Sequence, residues 1–183
     1  MLLYDEVTIM SSIAQEESRK ISERVKWGMR RRMENGVVLG CDRIYGYKVI
    51  NGNLEVVPDE AEIVKEIFRS YLYDGKGSNM IAHELGERGI PTLKNKVWSP
   101  QHVLKILKNE KYVGDLTQWR VYTPNVLAEK TKINHGDNPE APLITIRNHH
   151  EGIIAREVWD ATQAEMLRRS QKSREVRKHS RTY

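Results

Sequence analysis

Residues Ile9 to Gly36 read IMSSIAQEESRKISERVKWGMRRRMENG. Ile9, Ile13, Ile21 and Val25 recur at multiples of four with Met10 and Ala14 beside them, so a helix through this stretch lays one apolar stripe along one face. A helix of about 28 residues is roughly 40 Å long at the standard rise, more than a small chain covers by itself. A second copy of the same helix is the economical cover, which makes Ile9, Ile13, Ile21 and Val25 the expected self-association face. Glu16, Glu17, Arg19, Lys20, Glu23 and Arg24 stand at spacings that allow i,i+3 and i,i+4 pairs on the outer surface. Beyond Trp27 the cations Arg30, Arg31 and Arg32 are expected to be almost unopposed, and Asn35-Gly36 ends the helix with a left-handed cap.

The charge elsewhere is arranged around this helix. Between Arg19 and Arg32 seven basic residues stand against Glu23, a net of +6, and between Arg168 and Arg181 seven more stand against Glu175, again +6. Because the whole chain carries only +5, everything else is acidic, at −7. Concentrated positive ends on an acidic chain point to a polyanion met at defined places, since phosphate contact gains from local counterion release. The plainer alternative is a solvated basic helix and a loose basic tail. With 183 residues, 39% of them hydrophobic, the chain is long enough for one or two domains with a core. The longest apolar runs are too short to cross a bilayer and the N-terminus lacks the pattern of a signal peptide, so no membrane partner and a cytoplasmic or nucleoid location are expected. Cys41 is the single cysteine, which excludes an internal disulfide framework and a Cys-based zinc site, and no cofactor or metal is expected.

After Gly36, VVLGCDRIYGY carries Gly40 and Gly46 at short intervals and reads as an extended linker able to lie against another backbone. Asn51-Gly52 marks a hairpin between YGYKVI and NLEVV, a small two-stranded ribbon. Pro58, Asp59, Glu60 and Glu62 open a helix whose inward face is Ile63, Val64, Ile67, Phe68, Tyr71 and Leu72, and Asp74-Gly75 closes it. Ser78 is placed to cap a short helix to Leu85, and Gly89-Ile90-Pro91 stops that helix. Ser99-Pro100 starts a third, carrying Val103, Leu104, Ile106 and Leu107. Tyr112 to Trp119 reads as a strand, Thr123 to Pro142 as an exposed polar loop, and Leu143 to Arg147 as a strand. A last helix is expected from Arg156 to Arg169, followed by QKSREVRKHSRTY, basic and without apolar period, expected to fray. The fold class is therefore α+β and mainly helical: a long N-terminal helix, then a compact helical domain with a helix-turn-helix-like core and a small β-sheet.

The helices at Ser78 to Leu85 and Ser99 to Leu107 flank a turn and have the outline of a helix-turn-helix. If the second buries Val103, Leu104 and Leu107, then Gln101, His102, Lys105 and Lys108 face outward, residue types suited to base edges and phosphates in a major groove.

At this point a family is recognisable. SSIAQEESRKISERVKWG, from Ser11 to Gly28, resembles the end of the catalytic domain of large serine recombinases, the resolvase/invertase-type enzymes of mobile elements. The stretch from Gly46 to Asp115 resembles the recombinase domain that follows. The matching features are Asp59-Glu60-Ala61 at a helix start, Gly89-Ile90-Pro91-Thr92 between two helices, Trp98 before the second, Leu107-Lys108-Asn109 with Tyr112 and Gly114 after it, and HHEGII at His149 to Ile154 before a helix containing Trp159. The resemblance implies residues 1–36 as a dimerisation and DNA-crossing helix, 37–46 as a linker, 47–169 as a DNA-binding domain and 170–183 as a basic tail leading towards a zinc ribbon. It implies double-stranded DNA as the partner, met at an attachment or recombination half-site. Arg24, Lys26, Arg30, Arg31, Arg32, Arg43 and Lys108 would lie at the DNA, Gly40 would let the linker approach a groove, and Gln101, His102 and Lys105 would read or position the half-site.

The nucleophilic serine and arginine cluster of the family are expected upstream of this helix, so Ser11, Ser12, Ser18 and Ser22 are read as surface or packing residues and no catalytic residue is assigned. Ala155 stands where a capping serine or aspartate is expected, at a cost of about 1 kcal/mol to the last helix. Adjacent side chains at His149 and His150 diverge and lack a third ligand, which argues against a metal site. Trp27, Trp98, Trp119 and Trp159 are spaced as packing residues rather than as a stacking platform. Two rivals remain at this level: a helix-turn-helix transcriptional regulator dimerising through its first helix, and a protein-interaction module whose basic ends keep it in solution.

Overall fold

The computed structural model describes residues 2–94, 96–123, 130–139 and 141–180, and their side chains apart from those of 2–9 and 174–180. The chain divides into two compact units, one of residues 1–39 with 117–146 and one of residues 40–116 with 147–183.

In the first unit, helix α1 spans Leu2–Glu34. Its middle is laced as the charge spacing predicts: Arg19 pairs with Glu16 at 2.7 Å and Glu23 at 2.5 Å, and Lys20 lies 3.7 Å from Glu16. Gly36 adopts φ +82°, and Val37 N–H bonds the Arg32 carbonyl at 2.9 Å, which is the left-handed stop expected there. One expectation fails at this end. Arg30 and Arg31 are not unopposed, because Glu34 lies one turn on and pairs with both, at 2.9 and 3.4 Å.

The other half of this unit comes from residues 117–146. The strand Leu116–Gln118 enters it and pairs with Ile144–Ile146, and Val121–Tyr122 pairs antiparallel with Lys132–Ile133, so the predicted polar loop contributes one strand, paired with residues just before it. Two buried amides do the joining. Gln118 accepts from Leu39 N–H at 2.9 Å and donates to the Val37 carbonyl at 3.0 Å, fixing the chain just past α1. Asn134 donates to the carbonyls of Trp119 and Ala141 and accepts from Gly136 N–H. An amide carries donor and acceptor together, so each satisfies backbone groups that no ladder reaches. Pro124 and five residues after it lie outside the described residues.

The second unit opens with three antiparallel strands, β1 (Arg43–Ile44), β2 (Tyr47–Ile50) and β3 (Asn53–Val56), in that order. The expected ribbon thus gains a strand from what reads as linker, because Arg43 and Ile44 pair with Lys48 and Tyr47. Helices α2 (Pro58–Leu72), α3 (Ser78–Glu87), α4 (Pro100–Leu107) and α5 (Arg156–Ser180) follow. Gly77, not Ser78, holds the N-cap of α3, since Ile81 N–H already bonds the Gly77 carbonyl. Ser99 caps α4 as expected, its hydroxyl accepting from His102 N–H. The expected strand over 112–119 is broken. Asn109 caps a 3-10 turn at Glu110–Val113 and Gly114 turns the chain with φ +92°, leaving only Leu116–Gln118 extended. The basic tail is not frayed in its backbone, which is helical to Ser180; its Lys, Arg, Gln and Glu are good helix formers.

The core of this unit is Tyr47, Val64, Ile67, Phe68, Leu85, Val103, Leu107 and Tyr112, all at most 2% exposed. Tyr112 donates to the Tyr45 carbonyl at 2.8 Å, and the Tyr47 hydroxyl takes Ile153 N–H at 3.1 Å and donates to the Glu151 carbonyl at 2.8 Å. Helix α5 closes the ends of two others. Arg169 donates to the carbonyls of Tyr71 and Lys76, both at 2.9 Å, and lies 4.2 Å from the Tyr71 ring, while Gln163 donates to the Leu107 carbonyl at 2.7 Å. The last carbonyls of α2 and α4 are thereby satisfied from one element. Arg156 grips Asp115 with two bonds, 3.0 and 2.8 Å, and this guanidinium holds the Asp115 carboxyl below its ordinary range.

Candidate nucleic-acid interface

Helix α4 presents its polar side as the spacing predicts. Gln101, Lys105 and Lys108 are exposed, three and four positions apart, hence on one face. The buried side differs by one position: Val103, Ile106 and Leu107 are buried and Leu104 is half-buried. His102 does not face freely outward. Its ring lies 6.3 Å from Trp98, edge-on, and its Nδ1 is buried without a hydrogen-bond partner. The cause is direction: side chains on a helix lean towards its N-terminus, and there the ring of His102 meets Trp98.

Beside α4 runs a groove of about 480 Å³. Its floor is aromatic and apolar, with Ile44, Tyr45, Trp98, Ile106 and Tyr112, and its walls carry Arg43, Lys94, Lys96 and Lys105. No carboxylate lines it. Burial pushes the Tyr45 phenol up to about 12 and raises that of Tyr112, so the floor stays uncharged near neutrality and the cations set the potential. Arg43 is engaged with Glu60, whose other oxygen accepts Gly46 N–H at 2.8 Å, whereas Lys94, Lys96 and Lys105 have no ion pair among the described residues.

Lys94 and Lys96 are the site residues that the sequence reading missed. A signal existed: from Gly89 to Asn109 there is no acid but there are four lysines, Lys94, Lys96, Lys105 and Lys108. The turn carrying the first two is well built. Trp98 donates from its indole to the Ile90 carbonyl at 2.9 Å, and inside that closure Thr92 Oγ1 accepts from Lys96 N–H at 2.9 Å and donates to the Lys96 carbonyl at 3.0 Å.

In the first unit the basic end of α1 is partly spoken for. Lys26 donates to the Thr123 carbonyl at 3.1 Å, the Arg30 guanidinium sits 6.0 Å from the Trp119 ring, and that of Arg31 sits 5.7 Å from Trp27. Arg24 and Arg32 are exposed and carry no ion pair among the described residues. Gly40 has φ +78° and open space around it. Of the apolar stripe, Ile13, Ile21 and Val25 are 52%, 60% and 55% exposed, so no described residue covers them; the side chain of Ile9 lies outside those described. Among the four tryptophans, Trp98 is buried and Trp27 is exposed. The side chains of His149 and His150 do not diverge as expected but bring their Nδ1 atoms to 3.2 Å, and the Lys111 carbonyl takes His150 Nε2 at 2.7 Å. Among the described residues no group of three or more His, Cys, Asp or Glu is placed to hold a metal, and no helix is long and apolar enough to cross a membrane.

Comparison with known proteins places this arrangement. The chain is 33% identical over 172 residues to a candidate DNA recombinase of Bacillus subtilis (strain 168), covering 88% of this chain and 34% of that protein, so it spans about a third of its relative's length. Its fold is similar to that in a crystal structure of an LSR–DNA complex, with a TM-score of 0.55 and 21% identity over 79% of this chain and 38% of the other. It is similar also to a structure concerned with the sequence requirements of the Listeria innocua prophage attP site, with a TM-score of 0.54 and 21% identity over 79% of this chain and 52% of that one. The profile of the Recombinase family matches residues 58–169, which takes in α2 to α4 and the start of α5, and the chain belongs to that family.

Proposed function

We propose that this chain is the DNA-binding portion of a site-specific serine recombinase and that it grips a recombination half-site in duplex DNA, for integration or excision of a mobile element. The observation that carries the reading is the acid-free, lysine-walled groove beside the exposed polar face of α4. Gln101 and Lys105 are assigned to base edges, where an amide suits adenine and an ammonium suits guanine, and Lys108 and Arg43 to phosphates. Arg24, Lys26 and Arg30 to Arg32 hold phosphates along α1, and Gly40 lets residues 37–46 lie close to the duplex. Residues 1–36 belong to the end of a catalytic domain, residues 47–169 form the DNA-binding domain, and 170–183 lead away from it. The uncovered stripe at Ile13, Ile21 and Val25 pairs with the same stripe of a second copy.

The test is fluorescence anisotropy of the full chain on a duplex selected from a randomised pool and on a scrambled duplex, across a salt series. Gln101→Ala with Lys105→Ala is expected to weaken the selected duplex more than the scrambled one; equal losses refute the recognition role of α4. Arg30 to Arg32 changed to alanine should weaken both alike and flatten the salt dependence, and an unchanged slope removes their phosphate role. Enrichment of an operator-like sequence together with promoter repression would favour a transcriptional regulator instead.

A further inference from the structure

We propose that Lys94 and Lys96 form a second DNA-contacting element, which clamps the sugar–phosphate edge of one strand across the groove from α4. This deepens the DNA-binding reading above and rests on it. Three independent observations meet at this pair.

The first is charge. In this unit many cations are neutralised within the fold, as Lys65 is by Glu62, Lys76 by Glu84, Arg88 by Glu66 and Arg169 by Glu165. Lys94 and Lys96 have no such partner among the described residues, and they face a groove that contains no acid. Leaving like charges on facing walls costs Coulomb energy, which an anion between them reverses.

The second is construction. Two nested closures, Trp98 to Ile90 and Thr92 to Lys96, stiffen a stretch that would otherwise be a loose connection. A helix-turn-helix needs only a turn of about three or four residues, whereas here α3 ends at Glu87 and α4 starts at Pro100. Among the added residues, Leu93 and Val97 stand exposed at 39% and 82%. Apolar tips flanked by lysines suit sugar edges and thymine methyl groups, which a purely solvating loop would not require.

The third is size. A groove of about 480 Å³ holds roughly what one turn of helix occupies, so a duplex cannot enter it as a whole. Only the edge of one strand fits, with its phosphates towards the lysines and its sugars over the Tyr45 and Trp98 floor.

The experiment uses the whole chain with Lys94→Ala and Lys96→Ala together, read by salt-series anisotropy on the selected and scrambled duplexes, with far-UV circular dichroism as the check on folding. Two lost phosphate contacts should lower the slope of log K against log salt by about 1.8, equally on both duplexes. A slope within about 0.5 of the parent's overturns the clamp. Thr92→Val, which keeps both lysines but opens the inner closure, should lower affinity several-fold on both duplexes while leaving the slope near the parental value. Parental affinity in that variant would also count against the turn as a built element. If the parent chain itself binds no duplex with salt dependence, the DNA-binding reading fails and the clamp with it, an outcome visible before any variant is made.

Discussion

Gly114→Ala tests how tightly the second unit is closed around its central tyrosines. Gly114 has φ +92°, and a Cβ placed there would stand 2.7 Å from the His150 carbonyl oxygen and 3.6 Å from Gly152 N. The facing segment cannot retreat cheaply. Its His149 N–H bonds the Gly114 carbonyl at 2.8 Å, Ile154 N–H bonds the Tyr112 carbonyl at 2.9 Å, and the Tyr47 hydroxyl holds Ile153 and Glu151. Alanine at positive φ costs about 1 kcal/mol, and relieving the clash sacrifices about two backbone bonds at roughly 1 kcal/mol each. The sum is about 3 kcal/mol, or a fall in Tm of about 12 °C at roughly 4 °C per kcal/mol for a unit of this size. Gly40→Ala is the control, since φ is +78° but nothing lies within 4 Å; only the backbone part applies, about 4 °C. Thermal melts followed by circular dichroism compare the two. Equal, small shifts would refute the reasoning, because the contact with His150 would then be loose.

The acid limb of stability and the state of association offer two further checks. Hydrogen bonds from Arg168 and Arg169 bring the Glu165 carboxyl down to about 2. A depressed folded pKa gives stability that is present above the unfolded value of about 4.3 and lost as pH falls towards about 2. Urea midpoints of the parent should therefore approach those of Glu165→Gln across that window, and a constant gap between them would remove the ion pair from the account. Ile21→Glu with Val25→Glu places charges on the uncovered stripe of α1. Sedimentation velocity should show the parent associating and the variant monomeric at the same concentration, and identical sedimentation refutes the paired-helix proposal.

Much of the fold is legible because its cues are local. Period-four apolar residues write α1, Asn51-Gly52 writes the β2–β3 turn, and Ser99-Pro100 writes the start of α4; each acts within a few residues. What escapes is non-local. Nothing near Gln118 or Asn134 tells a reader that their amides will bind backbone from elsewhere in the chain, so Lys132–Ile133, the partner of Val121–Tyr122, reads as loop, while Leu116–Gln118 and Ile144–Ile146 fall in stretches that read as strands. The reading of 112–119 as one strand fails for a different reason. Its apolar residues fit a strand, but Asn109 and Gly114 impose a turn whose purpose, holding His149 and His150 against it, lies far along the sequence. Half of the candidate interface was visible as the outward face of a helix. Lys94 and Lys96 carry no such cue, because Gly89 and Pro91 mark the stretch as a connection, and a connection has no periodic face on which a side chain's direction could be assigned.

A net charge of +5 therefore says little about where this chain meets a polyanion, and the pairing of its charges says more. Arg156 with Asp115, Arg88 with Glu66 and Lys76 with Glu84 each join one element to another, and their charge is consumed in doing so. Arg169 and Gln163 go further and close α2 and α4 from α5, which fixes the helix that bears Gln101 and Lys105. Lys94, Lys96, Lys105 and Lys108 have no ion pair among the described residues, and all four fall in the acid-free stretch between Gly89 and Asn109. Apart from Arg43, which pairs with Glu60 and is also assigned to phosphates, the cations that join the unit and those offered to a partner are different residues. Removing an offered lysine should change binding with little effect on Tm, while removing a joining arginine should do the reverse, and that separation is what makes the binding variants interpretable.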